Sequence, residues 1–461
     1  MLKHCRKELM PVCLLATCAI LLAGCGGADV ELRRFPYPYQ AAIAISSDVD
    51  ETTIDELDAL YAAISGRTHE SGLGLEFASS FWFYNEYLSA LADSAVNADS
   101  VAAQFIGQPD SGFAWFVGLT DSLSEHVGWL RKLVRGGHLD CLHSYGHFKE
   151  GGFVRRLAAQ AVDEMRQHGL RTEVFINHNG PQNPCNMGPG PNDFGDDPGR
   201  PEYHADLTVD SLGVVFLWRG RLTHAVGQSG DFSFMNTAKV MYEWLVGQLT
   251  SAPEYPYGND LIELYELDDG RRVYEFTRFY DATGDIERTD QRALAHQISR
   301  DVINELIENR GYMIVYTHLG KNDGPPYVMP EMIDALRVLK DKQAAGELLV
   351  TTPSRLLRYY LNHRSIVWHS ESDGEQVAIT IDSLVNEVEG AWVPSLEELQ
   401  GLTFYVPEGK RVVLRVADRN VPVLMNKADY TGRRSVSLPW VRLGVPVALS
   451  SEEPESQSDG R

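Results

Sequence analysis

The chain has 461 residues, 23% charged and 44% hydrophobic, which suits a globular protein with one large domain and a smaller one. Its net charge of −23 excludes the basic face that nucleic acid requires, so no nucleic-acid partner is expected. Charge on this scale bears on solubility and steering and leaves the substrate open.

The N-terminal MLKHCRKEL carries Lys3, Arg6 and Lys7, and the apolar MPVCLLATCAILLAGC follows. An apolar run of about 16 residues is short of the roughly 20 that cross a bilayer and suits the core of a signal peptide. Its end, LAGC at residues 22–25, resembles the bacterial lipoprotein box. The resemblance implies removal of residues 1–24 and acylation of Cys25, giving an exported bacterial lipoprotein held to a membrane by its lipid. It would face the periplasm or the outer surface. No Asp follows Cys25 directly, which in a Gram-negative host points to the outer membrane. Residues 25–40 read as a tether. Of the other cysteines, Cys141 and Cys185 remain in the mature chain; a disulfide between them and two separate buried thiols fit equally.

From Ala41, apolar β-runs alternate with helical patterns. AAIAISS is a strand; DSLSEHVGWLRKLVRGG is a helix capped by Asp121 and ending at Gly136. HLDCLHS is the next strand, GFVRRLAAQAVDEMRQHG a helix closed by Gly169, and TEVFIN and GVVFLW are further strands. LIELYELDDGRRVYEFTRF reads as a hairpin with its turn at Asp-Asp-Gly. TDQRALAHQISRDVINELIENRG reads as one long helix before the strand YMIVYTHLG. Helix PEMIDALRVLKDKQAAG, strand ELLVTT and helix PSRLLRYYLNH complete the alternation. This argues an α/β domain over 41–364, a parallel sheet with helices outside, as barrel or open sheet. Between Gly180 and His204 a segment crowded with Pro, Gly, Asn and Asp suits one wall of an active-site mouth. Short β-runs without helices over 365–449 read as a small β-sandwich-like module, and 450–461 as an acidic disordered tail.

Three polar motifs stand at the ends of separate strands. SSDVD places Asp48 and Asp50 at one, HSYGH places His143 and His147 four apart past another, and THLG places His318 at a third. In β/α folds such positions converge on one face. Each motif alone is weak: paired acids also cap helices, and a lone His is commonly a hydrogen-bonded structural residue.

In this order the motifs resemble those of the polysaccharide deacetylase family, the NodB-homology carbohydrate esterases. SSDVD matches the opening acid pair, HSYGH the H-[ST]-x-x-H motif, YTHLG the late His, and TTPSRLLRYYL the closing strand and helix. The resemblance implies a distorted (β/α) barrel with Asp48 as general base, Asp50, His143 and His147 as metal ligands and His318 as general acid. A divalent ion, zinc above all, with cobalt or nickel also suited, would be held by one carboxylate and two imidazoles. The substrate implied is an N- or O-acetylated polysaccharide. A glycan-binding surface lipoprotein without turnover and a hydrolase of a smaller amide are the alternatives.

The chain departs from the family in places. FINHNGPQNP replaces the Arg-Pro motif, putting His178 or Asn179 where an Arg would orient the base, whose partner stays unassigned. The Asp-x-x-Asp-Trp pattern is absent, while VVFLWRGR offers Trp218, Arg219 and Arg221. Trp82, in an aromatic run, suits either sugar stacking or core packing, and His204 follows the Gly/Pro segment as a residue for the mouth.

Overall fold

The computed structural model describes residues 30–451 apart from 51, 67–71, 86–112, 149–151, 179–182, most of 230–258, 282–288 and 321–324. Cys25, Asn179, the signal segment and the acidic tail from 452 lie outside the described residues.

Ala41–Ser47 runs through the middle of a strongly curled, mostly parallel half-barrel sheet. On one side of it follow Ala78–Phe81, Leu139–His143, Val174–Ile176, Phe216–Trp218, Arg272–Phe276 and Ile262–Glu266. On the other stand Tyr312–Thr317, Arg278–Phe279 and Leu222–Thr223, and Leu348–Thr351 pairs with the first half of Ala41–Ser47 off that path. The hairpin expected around Asp-Asp-Gly forms the antiparallel edge, with Gly270 at φ 85° in its turn.

Ala41–Ser47 is buried at every position because both faces of the sheet are covered. Ile43, Ile45, Leu142, Phe175, Leu217, Met313 and Val315 join a core that includes residues of the surrounding helices. Their strand neighbours Ala42, Ala44, Cys141, Val174, Phe216 and Ile314 join a second core with Leu356, Leu357 and Tyr360 of helix Pro353–Ser365. The period of two along each strand separates the cores. Alanine at positions 42 and 44 leaves room for that helix to lie on the sheet.

The long helix expected over 289–311 is two helices, Gln291–Gln297 and Arg300–Glu308, with extended Ser299 between them. The break turns both Leu294 and Ile303 into the core. Residues 30–40, read as part of a tether, are built into the fold: Glu31–Arg33 pairs antiparallel with Thr403–Tyr405, and buried Arg33 meets Asp429 at 2.9 Å. Helix Pro353–Ser365 passes directly into strand Ile366–Ser372, and two small, largely antiparallel sheets follow. The last described segment returns across the barrel, where Trp129 donates to the Val447 carbonyl at 2.7 Å. Among the described residues no helix is long and apolar enough to cross a membrane.

Candidate metal centre

Four strands of the sheet, with Ala78–Phe81 lying between two of them, deliver the polar motifs to one place. Ser47 and Thr317 are register partners, so Asp48–Asp50 and His318 leave adjacent strand ends. His143 ends its own strand opposite Ile176, and His178 stands two residues past Ile176. The site therefore lies off the carboxyl ends of parallel strands, the usual position in β/α folds.

One Asp50 oxygen lies 3.1 Å from His143 Nε2 and 2.9 Å from His178 Nδ1, and these two nitrogens are 2.8 Å apart. The three atoms form a compact triangle of metal-ligand types, chiefly buried. Ligands about 2.1 Å from an ion stand about 3.0 Å apart at right angles and about 3.4 Å apart in a tetrahedron. The triangle thus fits one face of an octahedral site, or a slightly closed tetrahedral one, with positions left open. Burial alone would raise the Asp50 carboxyl, but His143 and His178 outweigh it and hold it well below the ordinary carboxylate range. The Asp50 and Asp48 charges overcome burial to raise His143, whereas burial lowers His178.

The third member of the triangle is His178, and His147 stands behind it, Nδ1 to Nε2 at 2.7 Å. The local backbone explains why. Ser144 is left-handed at φ 52° and Gly146 has φ 150°, a bend that sets His147 beside Asn85 in a short parallel pairing. A Cβ at Gly146 would lie 2.1 Å from the Tyr84 carbonyl oxygen, so only glycine permits this approach. With Nδ1 of His178 turned to the cluster, its Nε2 faces His147 Nδ1. A metal on Nδ1 would leave the proton on Nε2 to be donated there, the second bond by which metal-ligating imidazoles are oriented. Nδ1 of His143 is buried and has no hydrogen bond among the described residues.

The other Asp50 oxygen lies 2.8 Å from His318 Nε2, and Thr289 Oγ1 is 2.6 Å from His318 Nδ1. Asp48 is buried against Arg278, whose Nη1 reaches both carboxylate oxygens, at 2.8 and 3.0 Å. Arg278 supplies the partner for Asp48 that sequence reading left unassigned. The signal was present in EFTRF, since an arginine in a strand run flanked by Phe276 and Phe279 is costly to bury without an opposite charge. The acid lies 230 residues away in sequence, which hides it from any local reading.

Trp82 is buried, donates to the Phe113 carbonyl and lies edge-on to His178 at 5.6 Å, as a wall of the cluster. Trp218 carries the Arg278 guanidinium over its ring at 3.7 Å. Arg219 is held by Glu275 at 2.7 Å and lies over Tyr265. His204 is fully enclosed, between Thr208 Oγ1 at 2.8 Å and the Cys185 carbonyl at 2.9 Å, and does not line a mouth. Cys141 and Cys185 are free, buried thiols.

No family model matches the chain, and no curated protein does. Among solved structures, alpha-L-fucosidase isoenzyme 1 from Paenibacillus thiaminolyticus is similar at 12% identity, over 88% of this chain and 94% of that one, with a TM-score of 0.19. Likeness at that level carries no argument about fold or function.

Proposed function

We propose that the protein is a metal-dependent deacetylase acting on an N- or O-acetylated polysaccharide of the cell envelope or its surroundings, anchored through a lipid on Cys25. The observation that carries this reading is the Asp50–His143–His178 triangle beside the Asp48–Arg278 pair, at the carboxyl ends of a curled parallel sheet. The polysaccharide follows from the motif resemblance, as do the export and the anchor.

Asp50, His143 and His178 would hold a divalent ion, which would supply Lewis acidity toward an acetyl carbonyl and toward water. Asp48, fixed by Arg278, takes a proton from the attacking water. His318, oriented by Thr289 and Asp50, gives one to the departing amine or alcohol. Trp82, buried and edge-on to His178, walls one side of the centre, and Trp218 lies under the Arg278 guanidinium.

The test is acetate release from acetylated polysaccharide by the purified protein, with and without chelator. Release abolished by chelator and restored by zinc supports the reading; release unaffected by chelator and by Asp50→Ala overturns it. A glycan-binding protein without turnover is the competing reading, and Arg278's engagement of both Asp48 oxygens favours it. Tight polysaccharide binding with no acetate release, by a protein that holds its metal, would decide for that alternative.

A further inference from the structure

We infer that Asn186 is a positioning residue for His178, and that the Gly/Pro-rich segment carrying it is a fixed brace for the metal centre. The inference rests on the reading of Asp50, His143 and His178 as metal ligands.

His178 lies past the end of its strand, where regular pairing no longer holds the backbone. Asn186 replaces that pairing. Its Oδ1 accepts from the His178 N–H at 2.9 Å, and its Nδ2 donates to the His178 carbonyl at 3.0 Å. A primary amide offers acceptor and donor side by side, the same pair that a peptide unit offers its neighbour. The arrangement is reciprocal. Asn177 Nδ2 donates to the Met187 carbonyl at 2.7 Å, and the Met187 N–H donates to Asn177 Oδ1 at 3.1 Å. One asparagine on each segment thus locks the backbone of one residue on the other through its side-chain amide, and both asparagines are buried.

The same amide reaches the other ligand segment. Ser144, next to His143 and left-handed, donates from Oγ to Asn186 Oδ1 at 3.3 Å. His178 is therefore set at its backbone by Asn186, at ring Nε2 by His147, and at its ring edge by Trp82. The brace is itself anchored, since a Cβ on Gly195 would lie 2.5 Å from His204 Nε2, and that imidazole spans Cys185 and Thr208. Residues 183–204, tied at this many buried points, do not serve as a movable flap.

The experiment uses Co²⁺ as probe, with affinity measured by chelator competition and geometry by the visible absorption of the bound ion. Asn186→Ala is expected to weaken Co²⁺ binding about 10- to 100-fold, the range for partners that orient ligands, and to change the spectrum. Asn426→Ala, which removes a buried asparagine bonded to Ser435 and Ser437 in the C-terminal sheets, should lower thermal stability with neither effect. Should Asn186→Ala fail to fold, Asn177→Ala opens the other half of the clamp and must shift affinity in the same direction. Wild-type affinity and spectrum in the folded Asn186 variant, or in the Asn177 variant if that is the one measured, overturn the inference. A wild-type protein that binds no Co²⁺ overturns the metal reading beneath it, a distinguishable failure.

Discussion

Arg278 and Asp48 form a buried ion pair whose guanidinium also lies over the ring of Trp218 at 3.7 Å. Both side chains are essentially inaccessible, so each charge depends on the other. Removing one partner of a buried pair strands the remaining charge, which typically costs about 3–5 kcal/mol. Arg278→Ala should lower unfolding free energy by about that amount in urea titration. A loss near 0.5 kcal/mol, the scale of exposed pairs, would show that the two charges are solvated in solution.

Metal content separates three histidines, His143, His147 and His178, and Asp50. His143→Ala, His178→Ala and Asp50→Ala should each abolish tight binding of one divalent ion, read by elemental analysis after dialysis. His147→Ala, which removes the acceptor behind His178, should weaken affinity about 10- to 100-fold without abolishing it. Complete loss in His147→Ala with retention in His178→Ala would reverse their places.

Asp48→Asn should retain the ion and lose acetate release, because an amide accepts from Arg278 but takes no proton. Equal loss of metal in this variant and in His143→Ala would remove Asp48 from the role of base.

Burial pushes the Cys185 thiol up to about 12 and raises Cys141 as well, so little thiolate forms near neutrality. Both thiols of a chain beginning after Cys25 should resist an aromatic disulfide reagent at pH 8 and react promptly in denaturant. Fast modification of the native protein, or two thiols missing after denaturation, would contradict free buried cysteines.

Burial lowers His204 to about 4, against about 6.5 in the unfolded chain. Between these values the unfolded state binds a proton that the folded state refuses, so stability rises with pH across the window. The contribution is fully present above pH 6.5 and is lost as pH falls toward 4, by about 3 kcal/mol. His363, likewise lowered to about 4 by burial, adds to the same slope. His204→Gln should flatten the dependence of unfolding free energy on pH between 4 and 6.5; an unchanged slope would show that this imidazole is protonated in the folded protein.

Local pattern determined much of this protein. The apolar run AAIAISS, the helix patterns between strands and the Asp-Asp-Gly turn depend on near neighbours, and each reappears as an element of the α/β half-barrel, although the helix expected from Asp121 begins only at Val127. The helix break at Ser299 and the strand inside the tether escaped it, because long-range packing and pairing with Thr403–Tyr405 decide them. Motif spacing likewise singled out Asp48, Asp50, His143 and His318 as neighbours at strand ends. Only the tertiary structure decided that His178 closes the triangle, since the turn at Ser144 and Gly146 carries His147 to its far side. It alone paired Arg278 with Asp48, because no local pattern names a partner that another strand brings in across the sheet.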